Sequence, residues 1–305
     1  MLDATMAPAN ENVPLGSEGS RRVQRRVRGL PTSDGAGVRL TRIIGQPALP
    51  EFDPFLLLDE FGTDRPEDYI AGFPDHPHRG FETITYMLEG RMRHRDHHGH
   101  EGVLGPGGVQ WMTAGRGIIH SEMPEQQEGR LRGFQLWINL PAREKMTAPR
   151  YQEFGPERLP LLAAGEGVQL RLIAGRCGDV PGPIQQPATD PLYLDVELGA
   201  ARSARIALPE QHAAFVYVYE GAIAIGPRAA DASGVDTTVA APELALLGPG
   251  TRLELEGRAT RNRAIVVAAR PLGEPIARAG PFVMNTRAEL MQAFEDLRAG
   301  RFAGD

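Results

Sequence analysis

Two short runs of metal-binding side chains carry the clearest chemistry in this sequence. His76 and His78 are separated by one residue, and so are His120 and Glu122. Because alternate residues of a β-strand point to the same face, each run could direct both of its side chains at one point. Three neutral imidazoles and one carboxylate suit a divalent transition metal, and they leave coordination positions free for water, oxygen or a substrate. The sequence therefore predicts a metal site.

Other side chains compete with this assignment. Glu82 has the same strand parity as His76 and His78, so it could replace Glu122 as the carboxylate ligand or hold a ligating histidine from the outer shell. A second histidine-rich tract is formed by His94, His97, His98 and His100. Such tracts can bind metal, but this one lies between two predicted strands, where a solvated hairpin turn is expected.

Length and composition are those of a soluble globular protein. The 305 residues are enough for about two domains, and 41% of them are apolar and 24% charged. A formal net charge of -6 argues against nucleic acid as the main partner, because phosphate binding requires a concentrated positive surface. The basic run from Arg21 to Arg28 is interpreted as a first strand with a solvated arginine face.

The remaining composition predicts a cytoplasmic protein. Cys177 is the only cysteine, so no intramolecular disulfide can form and a reducing compartment is favoured. No apolar stretch is long enough to span a bilayer. Residues 1–20 contain neither Lys nor Arg, which argues against a signal peptide, and we expect a flexible extension there.

The distribution of glycine and proline along the sequence predicts an all-β fold. The 36 glycines and 26 prolines separate many short alternating runs, as in β-barrels and sandwiches. Residues 83–88 and 134–140 are predicted strands, and Phe134, Leu136 and Ile138 should share one face. Near the C-terminus, Thr286 and Glu289 have the spacing of a capping box, which predicts one amphipathic helix.

A weak internal repeat suggests a duplicated β-barrel domain. Glu89-Gly90 is followed by the LGPG sequence at 104–107, and Glu220-Gly221 by the same sequence at 247–250. The second half has no counterpart of the paired histidines, since His212 stands alone there. A single imidazole is not a metal site, so His212 is expected to be a hydrogen-bonded or surface residue.

Long segments around these residues resemble the pirin family. The segments are 53–61 (DPFLLLDEF), 73–83 (FPDHPHRGFET), 110–124 (QWMTAGRGIIHSEMP) and 280–286 (GPFVMNT). The resemblance implies a bicupin, with two β-barrels packed together and a metal in the N-terminal one alone. It also implies that His76, His78, His120 and Glu122 are the ligands, that Glu82 is a neighbour, and that the metal is Fe(II), although other divalent first-row metals suit the same shell.

The resemblance further implies a division of the chain and two alternative functions. We expect an extension at 1–20, a metal-binding cupin at 21–155, a cupin without metal at 156–285, and a helix with a tail at 286–305. One implied function is quercetin 2,3-dioxygenase activity, in which O2 opens the heterocyclic ring of a flavonol, carbon monoxide leaves, and Glu122 takes the substrate's hydroxyl proton. The other is a non-enzymatic iron-binding regulator that binds transcription or metabolic protein partners.

Overall fold

The computed structural model describes residues 19–227 and 237–302. The strands up to residue 157 are β1 (Val23–Arg28), β2 (Leu30–Asp34), β3 (Val38–Ile44), β4 (Phe55–Thr63), β5 (Phe73–His78), β6 (Phe81–Glu89), β7 (Met92–Asp96), β8 (Glu101–Leu104), β9 (Val109–Thr113), β10 (Ile118–Pro124), β11 (Leu131–Asn139) and β12 (Arg150–Phe154). The predicted flexible extension lies outside the described residues up to position 18, and Ser20 is already buried.

The strands beyond residue 157 are β13 (Leu161–Ala163), β14 (Val168–Ala174), β15 (Arg176–Cys177), β16 (Val180–Pro181), β17 (Leu192–Gly199), β18 (Ser203–Ala207), β19 (Ala213–Glu220), β20 (Ala222–Ile225), β21 (Thr238–Ala240), β22 (Glu243–Leu247), β23 (Arg252–Gly257), β24 (Arg261–Ala269), β25 (Ala277–Ala279) and β26 (Phe282–Met284). A single α-helix in the described ranges, α1 (Arg287–Arg298), follows them, and short 3-10 helices cover Pro66–Asp68, Ala142–Glu144 and Pro156–Arg158.

The contacts divide the chain into two compact units that do not follow chain order. The N-terminal unit contains Leu30–Glu157 together with the segment from Leu272 onward. The C-terminal unit contains Arg158–Pro271 together with the residues up to Gly29. Each unit thus includes a segment from the opposite end of the chain. The predicted domain boundaries at 155 and 285 stay a prediction.

The N-terminal unit consists of two sheets around a core. The larger has the order β12-β9-β6-β11-β4-β3-β2, and the smaller β5-β10-β7-β8. Apolar side chains of both sheets pack together, among them Leu40 and Phe61 from the larger and Met92 and Leu104 from the smaller. Strand alternation explains the packing, because one face of each strand turns inward.

The C-terminal unit repeats this arrangement. Its sheets have the orders β1-β22-β19-β24-β17-β14-β13 and β18-β23-β20-β21. Ile206 and Leu255 of the smaller sheet pack with Val216 and Val266 of the larger one. By sheet position, β5 and β10 correspond to β18 and β23, and neither of the latter contains a histidine. The duplication and its one-sided histidine content therefore agree with the sequence analysis.

The LGPG part of the predicted repeat is wrong, although the duplication is real. The Glu-Gly turns at 89–90 and 220–221 follow β6 and β19, which hold equivalent sheet positions. The first LGPG sequence, however, joins β8 to β9, whereas the second joins β22 to β23. Since β9 corresponds to β22, the two turns differ by one hairpin, and their likeness reflects the turn preference of glycine and proline.

The basic run at the start of the described chain is not uniformly solvated. Arg25 and Arg26 are exposed on β1, as expected, but Arg21 is buried. Its guanidinium donates hydrogen bonds to the carbonyls of Gly248, Gly250 and Pro209, at 3.0, 2.9 and 2.7 Å. The planar, five-donor guanidinium satisfies several turn carbonyls at once, and no sequence pattern distinguishes it from its solvated neighbours.

The C-terminal helix has the predicted cap. The Thr286 side chain accepts a hydrogen bond from the backbone N–H of Glu289, and the Glu289 side chain accepts one from the backbone of Thr286, so the capping box is confirmed. Leu290 and Ala293 are buried against Phe282 and Met284. The apolar stripe of α1 is thus used within the N-terminal unit.

Lys145, the only lysine of the sequence, ties the C-terminal segment to this unit. Its side chain is buried, and its Nζ donates to the carbonyl oxygens of Gly80 and Val283 at 2.8 and 2.9 Å and to Asn139 Oδ1 at 2.6 Å. Three acceptors match the three N–H donors of an ammonium group. Burial lowers the pKa of Lys145 to about 8.

No helix in the described part of the chain is both long enough and apolar enough to cross a membrane. Cys177 is partly buried and packs against the core of the C-terminal unit, and burial raises the pKa of its thiol.

Candidate metal centre

Two neighbouring strands of the smaller N-terminal sheet position the predicted ligands. β5 and β10 are antiparallel, and their register places His120 opposite His76 and Ile118 opposite His78. Directly opposed residues of an antiparallel pair point to the same face. The three histidines of the two runs therefore meet on one face of this ladder.

Three imidazole rings converge at this point. One ring nitrogen from each of His76, His78 and His120 lies within 4.8 Å of the other two. The ring centroid of His76 is 4.6 Å from that of His78 and 4.4 Å from that of His120. His78 and His120 are buried, with exposed fractions of 3% and 1%, whereas His76 is partly exposed. The cluster has two buried members and one that is partly exposed.

The surroundings keep the buried imidazoles neutral. Burial, and then the neighbouring histidines, lowers the pKa of His78 well below its usual value. The pKa of His120 is lowered in the same way, first by burial and then by His76 and His94. A neutral imidazole has a lone pair to donate, so both rings are in the protonation state that a metal requires.

The unused ring nitrogens fit a metal ion. Neither ring nitrogen of His120 has a hydrogen-bond partner among the described residues, and neither does Nδ1 of His78. His76 Nδ1 lies 2.8 Å from the Pro74 carbonyl, which leaves its Nε2 as the available donor. Buried polar atoms are normally satisfied, and a metal ion would satisfy these. The three histidines therefore fit a divalent first-row metal.

Glu122 is on the same strand as His120, but its carboxylate oxygens do not belong to the group of converging ligand atoms. The register of β10 against β5 shifts between His120 and Glu122. The Glu122 carboxylate instead contacts the larger sheet, with Oε1 2.9 Å from Thr85 Oγ1 and Oε2 3.5 Å from Gln135 Nε2. The role of Glu122 as fourth ligand stays a prediction.

Glu82 does not lie on the histidine face that its strand parity predicted. Its Oε1 accepts a hydrogen bond of 2.6 Å from Thr113 Oγ1. Glu82 and Thr85 are three positions apart on β6, and an odd spacing puts two side chains on opposite faces of a strand. Because Thr85 contacts Glu122, Glu82 points to the other face. Counting from His78 fails because β5 ends there and Gly80, with a φ of +89°, turns the chain before β6. The structure thus does not bring Glu82 to the histidines.

The second histidine tract is only partly a solvated turn. His94 is buried on β7, and its Nε2 lies 2.6 Å from Glu153 Oε2. His100 joins these two, whereas His97 and His98 pair with each other, their ring centroids 3.8 Å apart. In the C-terminal unit, His212 is buried 3.6 Å from Asp190 and joins no group of three metal-binding side chains in the described ranges.

Sequence reasoning missed the residues that surround the cluster. Trp137 and Phe81 contact the ring of His78, with centroid distances of 5.2 and 5.1 Å, and help to remove it from water. Thr85 and Gln135 hold Glu122. The alternation on β11 could have predicted part of this shell. Gln135 and Trp137 alternate with the buried Leu136 and Ile138, so they must share the other face of the strand.

Metal-free protein should lose stability as the pH falls below about 6.5, the usual pKa of histidine. His78 and His120 have folded-state pKa values below that of the unfolded chain. In the interval between the two values the unfolded chain binds more protons, so acid favours unfolding, and the stability is fully present only above the unfolded pKa. Urea denaturation at pH 7.5 and 5.5 measures the change. An equal free energy of unfolding at both values would contradict it.

Comparison with known proteins identifies the family of the chain. A family model described as Pirin matches residues 37–138, and one described as the Pirin C-terminal cupin domain matches residues 193–303. A "Pirin-like protein" of Caulobacter vibrioides is 53% identical over 92% of this chain and 99% of its own length. A Pseudomonas aeruginosa protein named "Putative quercetin 2,3-dioxygenase" is 52% identical over 90% of this chain and 95% of its own.

A solved structure agrees with both the sequence matches and the sheet topology. The crystal structure of quercetin 2,3-dioxygenase from Acinetobacter baumannii superposes with a TM-score of 0.84 at 31% identity, and the match covers 93% of this chain and 98% of that one. The all-β bicupin fold with a C-terminal helix is thereby confirmed. Both family models and these full-length matches show that the chain belongs to the pirin family.

Proposed function

We propose that this protein is a cytoplasmic, metal-dependent dioxygenase that cleaves quercetin or similar flavonols with O2 at a mononuclear Fe(II) centre. The observation that carries the proposal is the cluster of three converging imidazoles, of which the two buried ones have ring nitrogens without hydrogen-bond partners in the described chain. The quercetin dioxygenase names of relatives that match along nearly their whole length support the substrate class.

The proposed ligands are His76, His78, His120 and Glu122. His76 is fixed as an Nε2 donor by the contact of its Nδ1 with the Pro74 carbonyl. The rings of Phe81 and Trp137, which contact each other, both pack against the ring of His78. These contacts fix the donors before the metal arrives, so that little rearrangement is needed on binding.

When bound, the metal supplies a Lewis acid for the hydroxyl and carbonyl oxygens of the flavonol and a redox partner for O2. Three imidazoles and a carboxylate accept several first-row divalent ions, but activation of O2 favours a redox-active one. We therefore propose Fe(II) and expect a redox-inert ion such as Zn²⁺ to occupy the same donors without supporting the reaction.

Glu122 is proposed as the base that takes the flavonol 3-hydroxyl proton. Thr85 Oγ1 lies 2.9 Å from Glu122 Oε1 and 2.6 Å from Gln135 Oε1, yet a hydroxyl has a single proton to donate. A protonated Glu122 can donate to Thr85 while Thr85 donates to Gln135. With the Gln135 amide rotated by half a turn, its N–H donates to Thr85 and Thr85 donates to an ionised Glu122. The same three side chains therefore accommodate both protonation states of the base.

The function is tested by turnover with matched metals. Iron-loaded protein, mixed with quercetin under air, should consume one O2 and release one carbon monoxide per flavonol cleaved. Protein loaded with Zn²⁺ at the same stoichiometry should release none, and it serves as the control for binding without chemistry. Full iron loading with no carbon monoxide release would overturn the enzyme assignment. Metal-dependent capture of a protein partner would then support the alternative, a regulatory protein.

A further inference from the structure

Three metal-binding side chains converge a second time in the N-terminal unit, apart from the centre described above. They are His94 on β7, His100 in the turn that follows it, and Glu153 on β12, and one ligand atom of each lies within 4.8 Å of the others. We propose that these residues form a second metal site, which takes Zn²⁺ or a similar divalent first-row ion. Two imidazole nitrogens and a carboxylate oxygen are the donors that such ions use, and three protein ligands leave a position for water.

His94 and Glu153 are already arranged as a ligand pair. The His94 side chain is 4% exposed and its Nε2 lies 2.6 Å from Glu153 Oε2. Neither ring nitrogen of this buried histidine makes a hydrogen bond of normal geometry in the described chain, so a lone pair is available to an ion. Ligand atoms about 2.1 Å from one tetrahedral metal are roughly 3.4 Å apart, so the pair has to open by less than an ångström.

A glycine keeps space for this pair. Gly102 lies opposite His94 in the β7–β8 ladder. A Cβ at that position would be 2.5 Å from His94 Nε2 and 3.0 Å from Glu153 Oε1. Any side chain here would press against both residues, so glycine leaves the space beside the pair open for an ion.

His100 completes the group from the surface side. Its ring stacks on Tyr151 with a centroid distance of 4.4 Å and an interplanar angle of 27°, and its backbone N–H donates to Asp96 Oδ1 at 2.9 Å. The turn and the tyrosine therefore direct an exposed imidazole toward the buried pair. His98, two residues away, is also exposed but belongs to no such group in the described chain, and this makes it the matched control.

The second site is a neighbour of the first and has to be tested separately from it. His94 lies opposite Glu122 in the register of β7 and β10, so both sites take residues from the four-stranded sheet, whereas Glu153 comes from the larger one. Their donors do not overlap, because the ligands proposed for the first site are His76, His78, His120 and Glu122. The second site consequently does not depend on whether the protein is a dioxygenase.

Zinc stoichiometry distinguishes the two sites. Each variant is stripped with chelator, reloaded with Zn²⁺, desalted and analysed for bound zinc, and titration calorimetry gives the affinities. Wild type should bind two ions per chain, His120→Ala one, and His120→Ala combined with His100→Ala none, with an affinity loss of at least about 100-fold, more than outer-shell changes cause. His120→Ala combined with His98→Ala should keep its ion.

Two results would overturn the proposal. One is a wild-type protein that binds a single zinc ion. The other is a His120→Ala, His100→Ala variant that retains the ion of the single variant, since the residual metal would then lie at His76 and His78. His100 is exposed, so its replacement should leave the fold intact, and circular dichroism checks this.

Discussion

Replacing His120 with alanine should remove one metal equivalent per chain and reduce flavonol cleavage by at least about 100-fold, since loss of a ligand should exceed the effect of losing an outer-shell partner. His120 is the most buried of the three converging histidines, and neither of its ring nitrogens has a protein partner in the described chain. No hydrogen bond among the described residues is lost with the ring, so the change should affect the metal far more than the fold. Metal analysis and carbon monoxide release measure the two effects.

His98→Ala is the control for the His120 change. His98 is an exposed histidine outside both groups, so its loss should leave metal content and turnover at wild-type values. A His120→Ala protein with the full wild-type metal content and wild-type turnover would show that the cluster is not the reactive centre. Unfolding of the metal-free variant, followed by circular dichroism, separates a site defect from a folding defect.

Replacing Lys145 with methionine should destabilise the protein by about 3 kcal/mol, because it leaves buried acceptors without donors. The ammonium group bonds the carbonyls of Gly80 and Val283 and the Asn139 side chain, and methionine fills a similar volume without any donor. Since Val283 belongs to the C-terminal segment, the loss should loosen β26 and α1 from the rest of the unit. Urea unfolding at pH 7 measures the free energy.

Met146→Ala provides the adjacent control. Met146 is 54% exposed, and substitutions of exposed residues away from special features usually change stability by less than about 0.5 kcal/mol. Equal stabilities of Lys145→Met and wild type would mean that water replaces the ammonium group without cost. Greater protease sensitivity at the C-terminal segment of Lys145→Met alone would support the assigned role.

The sequence predicted the features that depend on local periodicity. The two i, i+2 runs lie on β5 and β10 because strand alternation is a local property. β6 covers the predicted strand at 83–88, and β11 contains the predicted strand at 134–140 except for its last residue. The helix cap at Thr286 formed as predicted because its two hydrogen bonds lie within four residues. Such features require only the geometry of neighbouring residues.

The features that the sequence did not predict depend on distant strands. Glu82 was assigned to the histidine face by counting through Gly80, where the chain turns and the count restarts. Thr85 and Gln135 contact Glu122 only because the two sheets of the N-terminal unit face each other. His94 was taken for a turn residue, since its partner Glu153 is on another strand much later in the chain.

The burial of Lys145 also makes the protein suited to covalent labelling. Amine-reactive esters should not acylate a lysine of the folded protein, because the single lysine is 1% exposed and donates to three acceptors. The ester can acylate Nζ only while its contacts with Gly80, Asn139 and Val283 are broken, so the rate at which the Lys145 peptide gains mass measures local opening under native conditions. One side chain thereby reports how often the contacts around it open.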